Sequence, residues 1–262
     1  MDSYGHFASV YDTLMDDVDY GKWAEYIEML LSENGHNSRL RIAEAACGTG
    51  SISVKLGKRH EIIASDISPD MLERAAEKCR KAGLSVKLIC QDMRKLKLHS
   101  GVEAVISCCD GVNYLRKKDD VLDFFTAARQ ALKPGGLLLF DISSEFKLSN
   151  TMNNAFFGED RENIAYLWQN TYNTKTKIVQ MDLSLFIKRP DGAFERHRET
   201  HLQRAYSEAE ISDMLEECGF EVKAVYECFT TEAPLPRSPR IQFVAAAKEE
   251  RRRYGKNKGI RG

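Results

Sequence analysis

Four acidic residues, Glu44, Asp66, Asp92 and Asp110, each stand where an apolar run ends. Between the first two lies Ala46-Cys47-Gly48-Thr49-Gly50, a turn whose glycines let the backbone approach a ligand where a side chain would clash. Asp66 stands 22 residues after Glu44, and a carboxylate there can accept two hydrogen bonds from a cis-diol. One acid at a strand end is often only a helix cap. Four in order on successive strand ends point instead to a nucleotide-like ligand lying across them. The nicotinamide-dinucleotide fingerprint needs Gly-x-Gly-x-x-Gly, and Ser53 stands where its third glycine belongs.

The elements that must position these acids are legible from periodicity. Residues 39–47, 61–68, 86–90, 102–108 and 137–142 read as apolar strands. Between them, 50–59, 69–82 and 119–132 read as helices, the second capped by Ser68 with Pro69 at its first position. Continuous apolar strands separated by helices predict a parallel sheet covered on both faces. The pattern changes after residue 150. Val179, Met181, Leu183, Leu185 and Ile187 alternate with mostly polar neighbours, and Asp191-Gly192 is a hairpin signal. An antiparallel insertion of about three strands follows from this. Ser207 then caps a helix to Cys218, and residues 220–229 and 241–247 close the sheet. The expected fold is α/β: a Rossmann-like, seven-stranded, mostly parallel sheet with helices on both faces and a small antiparallel β lid. The expected organisation is an N-terminal helical segment over 1–37, a ligand-binding domain over 38–150 and 207–248, the insertion over 151–206, and a basic tail over 249–262.

A net charge of -1 does not advertise nucleic acid as a partner of the whole fold. The last segment differs: residues 248–262 hold seven basic residues against two acidic ones, net +5, and read as a disordered end. Apolar runs are too short for a membrane span, and no secretory signal is seen, so a cytoplasmic protein is expected. The seven cysteines lack CxxC spacing, and Cys47, Cys90, Cys108 and Cys109 lie in apolar runs. Buried, reduced thiols are expected.

The acid and glycine turn, Glu44 to Gly50, resembles the first motif of class I S-adenosylmethionine (SAM) dependent methyltransferases. Leu132-Lys133-Pro134-Gly135-Gly136 is also typical of them, and the resemblance runs from about Tyr4 to Lys248. Phe7 to Asp12, Asp19 to Trp23, and Arg204 to Ser207 resemble a bacterial subgroup, some of it called YqeM-like; glycine N-methyltransferases share the general layout. The resemblance implies SAM as cofactor and S-adenosylhomocysteine (SAH) as product. It implies Glu44 near the methionine end, the Ala46–Gly48–Gly50 turn along the ligand, Asp66 on the ribose, Asp92 on the adenine amino group and Met93 against the ring. Tyr11 is expected to fold over the cofactor, and Asp110, Asn113 and Tyr114 to face the transferring methyl group. The chain departs from the pattern twice, with Ala46 for a common glycine and Glu44 for the commoner aspartate.

Methyl transfer is an in-line displacement that needs positioning rather than a fixed triad, so the acceptor leaves a weaker trace. A lid inserted after strand five brings polar and aromatic residues over the sheet. Trp168, His201 and Arg204 are its candidate acceptor-binding residues, and Tyr114, His201 and Tyr206 the candidate catalytic ones, with no base required. His197, Glu199 and His201 share one strand face; by pattern alone that strand reads as solvated. His197 and His201 have no further ligands at recognisable spacing, so no metal is expected. The reading favoured is methyl transfer to nitrogen or oxygen of a small molecule. The alternatives are RNA methylation helped by the basic tail, and a non-catalytic SAM-binding protein. The oligomeric state is left open.

Overall fold

The computed structural model describes residues 5–248, so the basic segment 249–262 lies outside the described residues. Two helices, α1 (Gly5–Leu14) and α2 (Tyr20–Glu33), precede the sheet. The alternating part runs β1 (Arg41–Ala45), α3 (Ser51–Leu56), β2 (Glu61–Asp66), α4 (Pro69–Lys81), β3 (Lys87–Cys90), β4 (Val102–Ser107), α5 (Lys118–Ala131) and β5 (Leu132–Ser143). After the insertion come α6 (Glu208–Glu217), β10 (Phe220–Glu227) and β11 (Arg240–Ala247). The sheet order is β10-β11-β5-β4-β1-β2-β3. Only β11 runs against its neighbours. The order reverses between β1 and β4, the place where open α/β sheets bind ligands at their carboxyl ends.

Both faces of this sheet are buried, which is why its strands read as unbroken apolar runs. Val105, Leu138 and Phe140 face α5 and α6, while Ile106 and Leu139 face the layer of α2 and α3. Local chemistry sets the helix starts. The Ser68 hydroxyl accepts from Met71 N–H with Pro69 at the first position, and Ser207 and Glu210 form a reciprocal capping box. Helix α3 is shorter than the periodicity suggests, ending at Leu56 before Gly57. Strand β5 starts five residues early, because Leu132 already pairs with Val102 ahead of the Pro-Gly-Gly irregularity.

The insertion is a separate four-stranded antiparallel sheet: β6 (Phe156–Asp160), β7 (Ile164–Asn173), β8 (Ile178–Lys188) and β9 (Phe194–Arg204). The expected count of three missed β6. That strand is short, lies at an edge and is exposed throughout, so it carries no alternation to read. Cys90 is another correction: it is exposed on the edge strand β3, whereas Cys47 and Cys108 are buried. Among the described residues no helix is long and apolar enough to cross a membrane.

Candidate active site

A cleft of about 770 Å³ opens along the carboxyl ends of β1 to β5, between α1 and the insertion. That volume is within the usual ~300–1,000 Å³ for small-molecule sites. Glu44, Ala46, Gly48, Asp66, Asp92, Met93 and Asp110 all line it. The turn after β1 is backbone-driven: Ala46, Gly48 and Gly50 have φ of 57°, 54° and 72°. Gly50 does not line the cleft. A Cβ there would lie 2.9 Å from Ala75 Cβ, so this glycine lets the turn and α4 pack closely.

Asp66 is held from both sides. Gly48 N–H donates to Oδ2 at 2.8 Å and Ser68 N–H to Oδ1 at 2.9 Å. Each oxygen keeps a second lone pair. Burial raises the Asp66 pKa, against the lowering effect of these backbone donors. Asp92 caps the short turn that follows β3, and its carboxylate also takes Arg94 Nε at 2.9 and 3.0 Å. Arg94 continues to Asp120 at 2.6 Å. The cap and the cleft-lining acid are thus one residue. Glu44 is buried, with the Ser53 hydroxyl as its donor. Burial pushes its carboxyl up to about 7, opposed by Ser53 and aided by the charge of Asp66.

The end of β4 is conformationally strained. Cys109 and Asp110 have φ of 62° and 57° in succession, which for non-glycine residues costs about 1–2 kcal/mol each. A buried polar cluster holds them. Asp110 N–H donates to Asp141 Oδ2 at 3.0 Å, Gln203 Nε2 to Asp110 Oδ2 at 2.8 Å, and Arg240 Nη1 to Asp110 Oδ1 at 3.1 Å. Arg240 also pairs with Asp141. Burial pushes the Asp110 carboxyl up, but Arg240, Lys147 and Gln203 together bring it below its ordinary range. Burial raises Asp141 despite Arg240. Sequence reading missed Asp141, Gln203 and Arg240. A charged residue inside the apolar run Leu137 to Ile142 was the available signal.

The insertion presents its inner face to the cleft. Register places Phe157, Trp168, Leu183 and Glu199 abreast, with Asn170, Met181 and His201 in the next row. Trp168 and His201 line the cleft. The strand expected to be solvated is therefore lined up with the lid's inner face: the His201 and Glu199 side chains are only 8% and 7% exposed and lie 3.2 Å apart. The Tyr114 ring meets His201 edge-on at 6.1 Å. On the other wall, Tyr11 of α1 lines the cleft beside Tyr20, and burial raises its pKa well above the ordinary value.

Besides Gly50, three expected site residues are not among the cleft's lining residues. Asn113 is buried and donates to the carbonyls of Ser143 and Arg204 at 3.1 and 2.9 Å while accepting from Ser143 N–H. It ties β5 to the last strand of the insertion. Arg204 turns to Glu210 at 3.2 Å and stacks on Tyr206. Tyr206 is buried with its hydroxyl on the Leu115 carbonyl. Arg204 is of opposite parity to His201 on β9, so the pleat aims it away from the His201 face.

The residues present fit a SAM-like ligand. A buried carboxyl with one hydroxyl donor suits an ammonium, Asp66 retains acceptor capacity for a diol, and the turn leaves open space above Gly48. Comparisons with known proteins agree. Residues 42–136 match a family model described as "Methyltransferase domain". The chain is 38% identical over 244 residues to "Putative methyltransferase YqeM" of Bacillus subtilis (strain 168), covering 92% of this chain and 96% of that one. It is similar to the crystal structure of a SAM-dependent methyltransferase from Clostridium acetobutylicum, with TM-score 0.84, 31% identity and coverage of 94% and 99%. The sugar N-methyltransferase KedS8 from Streptoalloteichus shares the fold at TM-score 0.75 and 18% identity, covering 92% and 93%.

Proposed function

The chain belongs to the class I SAM-dependent methyltransferases, in the YqeM-like group, and from that membership we propose that its acceptor is a nitrogen or oxygen of a small molecule held under the antiparallel sheet. The observation that carries this reading is the single cleft in which the acids of β1 to β4 meet the aromatic inner face of the insertion. A cleft of this size, walled on one side by the insertion, suits a small molecule better than a polymer.

When bound, SAM supplies a methyl group on a sulfonium. Asp66 and Asp92 hold the nucleoside end, Glu44 the ammonium, and Tyr11 covers the ligand from α1. Asp110, fixed by Arg240 and Gln203, sets the edge of the transfer region next to Tyr114. The insertion excludes water and orients the acceptor for in-line attack. His201 takes the acceptor's proton, with Glu199 beside it to orient the ring. The fold of the sugar N-methyltransferase KedS8 is compatible with an amine acceptor.

The test is transfer of isotopically labelled methyl from SAM into a fractionated cell extract, with Asp66→Ala as the blank. Label in the small-molecule fraction is expected, and label in RNA would overturn the acceptor class. Asp66→Ala should also weaken SAM binding about tenfold or more, since a hydrogen bond to a charged group is worth about 1.5–3 kcal/mol. Unchanged affinity would show that the ribose lies elsewhere.

A further inference from the structure

Lys147 lies just past β5 and lines the cleft, half-buried. Among the described residues its ammonium donates one hydrogen bond, to Ser143 Oγ at 3.2 Å, and makes no ion pair. The nearby carboxylates are already engaged. Arg240 bridges Asp110 and Asp141, and Asp110 Oδ2 also accepts from Gln203 and Ser143. An ammonium carries three donors, so two of its N–H groups remain available to a ligand in the cleft. Burial does lower its pKa, with Asp110 opposing and Arg240 adding to the effect. The lid wall that shares this cleft is apolar and aromatic, with Met152, Phe157, Trp168 and Met181.

We propose that Lys147 anchors a carboxylate carried by the methyl acceptor, which makes the acceptor an anion with an aromatic or apolar body. The inference rests on the small-molecule methyltransferase reading above. A carboxylate at this point has two sources, the acceptor or the methionine end of SAM. Sheet order favours the acceptor. The acids assigned to the cofactor hang from β3, β2, β1 and β4, three strand spacings of about 4.8 Å, and Lys147 follows β5, one strand beyond.

Benzoate and its neutral isostere benzamide serve as probes against the full chain loaded with SAH. Quenching of tryptophan fluorescence reports binding, because Trp23 and Trp168 both line the cleft. Benzoate should bind about tenfold tighter than benzamide, the scale of one charged hydrogen bond. Lys147→Met should erase that preference and Lys147→Arg keep it, with SAH affinity unchanged in both. Lys147→Gln gives the same comparison if the Met variant does not fold. Equal binding of the two probes, no benzoate binding at tens of millimolar, or a preference that survives Lys147→Met overturns the anchor. A loss of SAH affinity with the benzoate preference intact assigns the carboxylate to the cofactor and also overturns it. Failure of the native chain to bind SAH overturns the cofactor reading and the anchor together, whereas SAH binding without a benzoate preference removes the anchor alone.

Discussion

Ala46 occupies a backbone conformation that suits glycine, with φ of 57°. Its methyl lines the cleft and packs against the core, so the strain is retained where a glycine would remove it. Ala46→Gly should therefore raise stability by about 0.5–1 kcal/mol, the relief of left-handed strain less the lost backbone restriction. Urea unfolding at unchanged m checks this, and a loss of stability would show that the methyl's packing outweighs its strain. Glu44 makes a prediction in pH. Its carboxyl titrates at about 7 in the folded chain against an ordinary 4.5. Between those values the folded chain keeps a proton that the unfolded chain has lost. The stabilisation is full below the ordinary value and is lost as pH rises through about 7. By linkage the ligand-free chain loses up to about 3 kcal/mol across that window, and Glu44→Gln flattens the loss. SAM, with an ammonium for the carboxylate, should bind more tightly as pH rises through the same range in the native chain only. Thermal melts and SAM titrations at several pH values decide both points.

Helix α1 is fastened to its surroundings from two sides. Lys78 Nζ donates to Asp12 Oδ1, Thr49 Oγ1 and Ser51 Oγ at 2.6, 2.8 and 2.7 Å. It thereby joins α4, the glycine turn and α1. Arg161, between β6 and β7, reaches the Thr13 carbonyl and Asp16 at 2.6 and 2.7 Å. Tyr11 directly precedes Asp12. Removing one should act on ligand exchange more than on folding, because the Lys78–Asp12 pair is partly exposed and such pairs contribute about 1 kcal/mol or less. Lys78→Met is expected to speed SAH dissociation about three- to tenfold, the kinetic equivalent of roughly 1 kcal/mol, with a small change in Tm. Stopped-flow fluorescence measures the rate, and an unchanged rate would mean that α1 is not held on the site by this lysine.

At the scale of the whole molecule, the cofactor belongs to one sheet and the acceptor to the other in the proposed reading. Among the described residues no strand of one pairs with a strand of the other. They meet through side chains: Asn113 on the Arg204 carbonyl and Gln203 on Asp110. The reading of residues 151–206 as a lid rests on these junctions. The basic segment 249–262 lies outside the described residues. Deleting residues 249–262 should leave SAM affinity and methyl transfer to small molecules unchanged. Loss of label from an RNA fraction, with a shallower salt dependence of RNA binding, would instead move the acceptor to RNA.

The sequence by itself determined the parts whose information is local. Period-two and helical patterns marked the strands and helices, caps such as Ser68 and Ser207 marked helix starts, and acids at strand ends around a glycine turn marked one wall of the cleft. The inner and outer faces of β8 were also legible, since burial on one side leaves alternation in the chain. What only the tertiary structure decided are encounters between residues far apart in sequence. Asp110, Asp141, Gln203 and Arg240 lie on four segments, and nothing local to any of them says that the others close around it. For the same reason His201, on a strand with a polar pattern, turned out to face the cleft, while Asn113 and Tyr206 became braces. Periodicity records whether a side chain is buried, but which polar atom meets which depends on how the insertion docks over β4 and β5. The junction between the insertion and the main sheet is made of such meetings.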